Sequence, residues 1–98
     1  MVEWLAVFWT KTAKSNLKDI YEFYEPKSVQ AAKNVVSDIL NMAKDIKFPK
    51  QYQTDEIDER YRRMVVRHYK ILYSCKKKTI YIHRIFDTRQ DPEKLKGE

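Results

Sequence analysis

The chain of 98 residues has little of what specialised chemistry draws on. Its one glycine, Gly97, stands near the end. The body of the fold therefore has no glycine-dependent turn and no phosphate-cradling loop, which excludes the P-loop and the dinucleotide-binding fingerprint. One cysteine, Cys75, excludes an internal disulfide and a cysteine-based zinc site. Two histidines, His68 and His83, without clustered carboxylates do not make a metal site, so neither metal nor cofactor is expected. The longest unbroken apolar run is Trp4-Leu5-Ala6-Val7-Phe8-Trp9, far short of the roughly 20 residues a membrane span needs. No signal-peptide pattern opens the chain. The expected address is the cytoplasm, with no membrane partner.

What remains is apolar and charged. Apolar residues make up 43% and aromatics 13%, which points to a folded chain rather than a disordered one. The length suits a single domain over residues 1–98 with one core. The net charge is +6 and its distribution is uneven. From Arg60 through Phe86 the sequence holds nine of the 20 basic residues and none of the 14 acids, so that stretch is +9 and the remainder −3. Just upstream lies the acidic patch Asp55-Glu56-Ile57-Asp58-Glu59. Such a basic block fits a polyanionic partner, either nucleic acid or an acidic protein segment. It equally fits a solvated sheet face whose cations block edge-to-edge aggregation.

Trp4 to Trp9 reads as a short buried strand. Thr10 is placed to cap a helix whose apolar face is Ala13, Leu17, Ile20, Tyr21 and Tyr24, and Pro26 ends it. Ser28 caps a second helix with the stripe Ala32, Val36, Ile39, Leu40, Ala43 and Ile46, closed by Phe48-Pro49. The connection is so short that the two helices fold back antiparallel. Tyr61 to Arg67, Tyr69 to Cys75 and Thr79 to Asp87 are strand-like runs rich in Val, Ile and Tyr. Arg67-His68 and Lys76-Lys77-Lys78 are the turns between them, although neither has the glycine that tight hairpins prefer. Tyr69, Ile71 and Tyr73 share one face, as do Ile80 and Ile82. The expected fold is α+β: an N-terminal strand, a helical hairpin, then three antiparallel strands forming one small sheet.

That order of elements, with several local motifs, resembles the RelE/ParE superfamily of toxins from bacterial type II toxin–antitoxin systems, and its ParE branch more closely. Trp9-Thr10 leading into Ala13, Leu17 and Ile20-Tyr21 resembles the family's opening. Phe48-Pro49 is similar to its helix-ending pair, and Tyr69-Lys70-Ile71-Leu72-Tyr73 to its tyrosine-bounded strand. Arg84-Ile85-Phe86-Asp87-Thr88-Arg89-Gln90-Asp91-Pro92 resembles the ParE-type ending without a gap. The resemblance implies a growth-inhibiting toxin of a plasmid-stabilisation type, neutralised by a cognate antitoxin whose disordered segment folds onto it. For ParE-like members it implies DNA gyrase as the target. For RelE-like members it implies ribosome-dependent cleavage of mRNA.

These are different functions on one fold, so residues must separate them. Cleavage of RNA through its own 2′-OH needs a proton acceptor, a cation at the crowded phosphate and an acid for the leaving oxygen. Carried over from the RelE-like pattern, Arg62, Lys70 and Arg89 take the basic positions, with His68 or His83 as the candidate base. Met64 stands where the pattern has a further basic residue, and no Tyr or His follows His83. A methionine accepts no proton and offsets no phosphate charge. Arg62 cannot serve as a base, because a guanidinium stays protonated. The favoured expectation is a binding-mode toxin with no catalytic residue. Its target surface would be the basic face of the sheet, with Arg62, Arg63, Lys70, Arg84, Asp87 and Arg89, and the tail Asp91 to Glu98. An apolar groove beside the helical hairpin would take the antitoxin. The alternatives are the mRNA endonuclease and a non-toxic basic module that binds nucleic acid.

Each remaining residue also has a plain structural reading. His68 reads as an exposed turn residue, His83 as a partly buried structural imidazole, Cys75 as a small packing residue, and Asp87 and Arg89 as an ion pair. Tyr61, Tyr69, Tyr73 and Tyr81 pack a sheet or stack on bases.

Overall fold

A computed structural model describes residues 5–89. The elements are β1 (Ala6–Trp9), α1 (Lys11–Tyr24), α2 (Val29–Lys44), β2 (Arg62–Val66), β3 (Tyr69–Lys76) and β4 (Thr79–Asp87). The four strands form one sheet in the order β1-β4-β3-β2. β2, β3 and β4 are antiparallel neighbours, and β1 runs parallel to β4, with Val7 opposite Ile80 and Trp9 opposite Ile82. The helical hairpin covers one face, and the α+β class expected from the sequence is the one formed.

Local chemistry sets the helix ends. Thr10 has extended backbone angles, and its Oγ1 accepts the Ala13 N–H at 3.1 Å. Ser28 does the same for Ala31. Each cap satisfies an N–H that the helix itself leaves orphaned. Thr10 also ties α1 to the sheet, since its hydroxyl lies 3.0 Å from the Ile82 carbonyl and 3.1 Å from that of His83. Further along α1, Asn16 Oδ1 accepts the Ile85 N–H at 3.0 Å. α1 thus takes over hydrogen bonding along β4 where β1 has ended.

Two expectations need correction. β1 is an outer strand rather than a buried one. Ala6 and Phe8 are exposed, while Val7 and Trp9 pack toward the core, because helices cover one face only. Trp4, the expected start of that strand, lies outside the described residues. On α2 the buried line is Ala32, Val35, Ile39 and Ala43, with Val36 and Leu40 half-buried at its flank. The face pointing at the sheet is turned slightly from the stripe read in the sequence, and Val35 replaces Val36 on it.

Between helices and sheet, Ile20, Val35, Ile39, Met64, Ile71, Tyr73, Ile80 and Ile82 form the core. Both hairpins turn without glycine. Arg67 takes φ 57°, and Lys77 and Lys78 take φ 49° and 64°. Two successive left-handed residues between Lys76 and Thr79 are what a two-residue type I′ turn requires. β4 carries one irregularity: Leu72 pairs with Arg84 but Tyr73 with Ile82, which leaves His83 as an extra residue. Among the described residues, no helix is long and apolar enough to cross a membrane.

Candidate functional site

Strand alternation divides the expected contact residues between the two faces of the sheet. On β2, Met64 and Val66 point into the core, and Met64 is 1% exposed. Arg62 is two residues from Met64 and so shares its side. Its Nη1 donates to the Tyr52 carbonyl at 2.9 Å, in the segment that joins α2 to β2. The Tyr73 hydroxyl braces that segment too, donating to the Pro49 carbonyl and accepting the Tyr52 N–H. Arg62 is therefore not on the opposite face, the one that no helix covers among the described residues (the uncovered face), and the expected single wall of Arg62, Arg63, Lys70, Arg84 and Arg89 does not form.

Arg63, Lys70 and Arg84 do lie on the uncovered face, and Arg63 and Arg84 flank Leu72 on either side. The acidic patch folds against them. Asp55 is 2% exposed and holds Oδ1 2.8 Å from Lys70 Nζ and 4.0 Å from Arg63 Nε. Its Oδ2 accepts the N–H groups of Ile57 and Asp58. Glu56 lies 3.4 Å from Arg63, and Asp58 makes a two-point contact with Arg60. Burial alone would push the Asp55 carboxyl up, but the hydrogen bonds from Lys70 and the two N–H groups outweigh it, and its pKa falls below the ordinary value. Lys70, 8% exposed, is committed to this internal pair. Removing one partner of such a buried pair costs about 3–5 kcal/mol, because the other is left charged and unpaired. The acidic loop thus offsets much of the charge expected to face a target.

A second polar cluster stands where α1 ends, β3 begins and β4 ends. The Arg89 guanidinium clamps Asp87 at 3.1 and 2.8 Å and holds its carboxyl below the usual range. His68 Nε2 lies 3.4 Å from the Tyr24 hydroxyl and 4.0 Å from Asp87 Oδ2, and its ring packs on Tyr69. The Tyr69 hydroxyl is 3.5 Å from that of Tyr24, and burial, then this contact, pushes it up. His68 is half-buried rather than exposed, because the turn presses it against Tyr24. Of the residues singled out in the sequence, this cluster gathers His68, Asp87 and Arg89 and leaves Arg62, Lys70 and His83 elsewhere.

His83 belongs to a feature the sequence reading missed. The extra residue in β4 turns its ring onto the uncovered face, where Nε2 is 2.7 Å from Ser74 Oγ. It stacks on Tyr61 at 4.4 Å and faces Tyr81 at 6.4 Å, and Tyr81 in turn lies 5.7 Å from Phe8. The Arg60 guanidinium covers Tyr61 at 5.1 Å. Tyr69 and Tyr73, by contrast, are buried under the helices. The signal was present in the isoleucines: Ile80 and Ile82 are two apart, but the next core residue, Ile85, is three further on, which marks an inserted residue.

Along the outer edge at β2 runs a groove of about 430 Å³, lined by Asp38, Met42 and Asp45 at α2 and Val65, Val66 and Arg67 at β2. Arg67 bridges it to Asp38 at 2.8 Å, and Val65 is 48% exposed. Cys75 is a free thiol, half-buried against the core. Among the described residues no group of three His, Cys, Asp or Glu side chains could hold a metal ion.

Comparison with known proteins bears on this arrangement. No curated protein matches the chain. A solved structure described as the chromosomal ParDE TA system from P. aeruginosa is similar in fold: TM-score 0.75 and 21% identity, covering 88% of this chain and 98% of that one. A family model, described as the ParE toxin of the type II toxin–antitoxin system parDE, matches residues 7–92. With nearly its whole length matched, the chain belongs to the ParE toxin family of type II toxin–antitoxin systems.

Proposed function

We propose that this toxin arrests growth by binding a cellular target, without covalent chemistry of its own. DNA gyrase is the target that the family resemblance implies. The observation that carries the reading is how the nuclease candidates are engaged. Lys70 is held by Asp55, Arg62 by the Tyr52 carbonyl and Arg89 by Asp87, while Met64 is sealed in the core. Cleavage needs a proton acceptor, a cation and an acid around one phosphate, and these groups lie on different sides of the sheet. The proposed target contacts are Arg63 and Arg84 on the uncovered face and Asp87 with Arg89 at the end of β4. Arg62 contributes field rather than contact, and Lys70 is neutralised by Asp55. The tail Asp91 to Glu98 lies outside the described residues.

The proposed partner is a cognate antitoxin whose segment occupies the groove between α2 and β2. β2 is an outer strand, and the segment Gln53–Asp55 covers its start: Arg63 N–H donates to the Gln53 carbonyl, and Thr54 bridges Arg62. Beyond that cover, Val65 is exposed at the edge on the face it shares with Arg63, while Met42 lines the groove on the helix side. An extended or helical segment gains most at such an edge, from both backbone pairing and apolar burial.

Expression in a susceptible host without antitoxin tests the reading. The expected result is growth arrest with double-strand DNA breaks and an SOS response. Arg89→Ala should reduce toxicity while its circular dichroism stays native. Codon-positioned cleavage of translated mRNA would replace this reading with the endonuclease, and normal growth with abundant soluble protein would remove the toxin assignment.

A further inference from the structure

We infer that the uncovered face of the sheet carries a second binding site, a stacking platform for unpaired bases of single-stranded nucleic acid, built by Phe8, Tyr81, His83 and Tyr61. The row crosses the sheet from β1, through two residues of β4, to the residue preceding β2. Its successive ring centroids lie 5.7, 6.4 and 4.4 Å apart.

Three observations support a built site. The β4 bulge puts His83 into the row, and the Ser74 hydroxyl fixes its ring at 2.7 Å. The core does not need these rings, because Tyr69 and Tyr73 already fill the helix side. Phe8, at the end of the row away from Arg60, is 53% exposed and offers its ring to a ligand.

Charge selects the occupant. The β3–β4 turn beside Tyr81 is Lys76-Lys77-Lys78, and Lys76 shares the uncovered face with Ser74, two residues before it. The acids that engage Arg63 and Lys70 lie toward the β2 border, on the far side of the sheet from Phe8. Rings beside a cluster of lysines suit a ligand with flat faces and a regular negative backbone, which is what a single strand presents and a duplex hides. The inference stands apart from the proposed target, and its assay reads no growth phenotype.

The test titrates the purified full chain into fluorescein-labelled oligouridine and oligothymidine of roughly 12 nucleotides, within the span such platforms cover. The matching duplex and an abasic strand of equal charge serve as comparisons. Both single strands should bind with affinity that falls as salt rises, and the duplex and abasic strand at least about fivefold more weakly. Tyr81→Leu and Phe8→Ala should each weaken binding by about five- to a hundredfold with native circular dichroism, whereas Tyr81→Phe retains it. Lys77→Gln should flatten the salt dependence. Preference for the uridine or the thymidine strand tells RNA from DNA, and either supports the site. Equal binding of the abasic strand, indifference to Tyr81→Leu, or no binding by the folded chain would each overturn it. So would failure to bind either strand while a bound host protein covers Phe8 and Tyr81, which would assign the face to that protein.

Discussion

The His83 imidazole sits between the Ser74 hydroxyl and the Tyr61 ring, with Arg60 on the far side of that ring and Tyr81 along the strand. Burial first, then the positive charge of Arg60, holds its pKa below the ordinary 6.5. Below about pH 6.5 the unfolded chain therefore takes up a proton that the folded chain resists, and the unfolded state gains. The contribution of this group is fully present above about pH 6.5 and is lost as pH falls from there toward the folded pKa. Asp55 and Asp87, also depressed, act in a separate window, keeping their contribution above about pH 3.8 and losing it on further acidification. Urea midpoints measured from about pH 7.5 down to about pH 5 should fall for the wild type, and His83→Gln should flatten that slope. Equal slopes in the two proteins would mean that the imidazole is not held neutral. A single sequence shows that His83 lies in a strand. It does not show the shielding, which comes from Tyr61, more than 20 positions away, and from the bulge that aims the ring.

At the level of elements, what was legible is what neighbouring residues decide. The caps Thr10 and Ser28, the stop before Pro26 and the three strand runs follow from local hydrogen bonding and alternation, and they appear within a residue or two of where the pattern puts them. Sheet order is not local. Nothing in Ala6–Trp9 says that it lies parallel to β4, so a hydrophobic run looked buried when only one of its faces is. The charge block misled in a similar way, because consecutive arginines 62 and 63 point to opposite sides and the acidic loop returns over the nearer one. The β3–β4 turn shows sequence and geometry in conflict, for Lys77 and Lys78 both occupy the left-handed region that non-glycine residues disfavour by about 1–2 kcal/mol each. Lys77→Asn with Lys78→Gly supplies the pair that a type I′ turn prefers and should raise stability by about 1 kcal/mol, after allowing for the entropy that glycine adds to the unfolded chain. Chemical denaturation reads this directly, and a loss of stability would show that the lysine side chains contribute more than their backbone strain costs.

For the whole molecule, the same topology that closes the sheet also leaves it open on one side. β1 and β4 bring the two halves of the chain together, α1 secures the end of β4 through Thr10 and Asn16, and β2 forms the border opposite β1. The cover over its start, Gln53–Asp55, stops short of Val65, so the border next to the α2 groove is where an added segment meets both an unpaired backbone and an apolar surface. A partner that binds only the folded toxin must stabilise it by mass action. At a hundredfold excess over its dissociation constant the gain is about 2.7 kcal/mol, or about 10–20 °C in melting temperature for a domain of this size. Val65→Asp tests the location. Its side chain is half-exposed, so the free protein should melt within a few degrees of the wild type. A segment paired along the β2 edge would bury this carboxylate against itself, which should remove most of the antitoxin-induced rise. An undiminished rise in Val65→Asp would move the antitoxin away from the β2 border and leave the α2 groove without its proposed occupant.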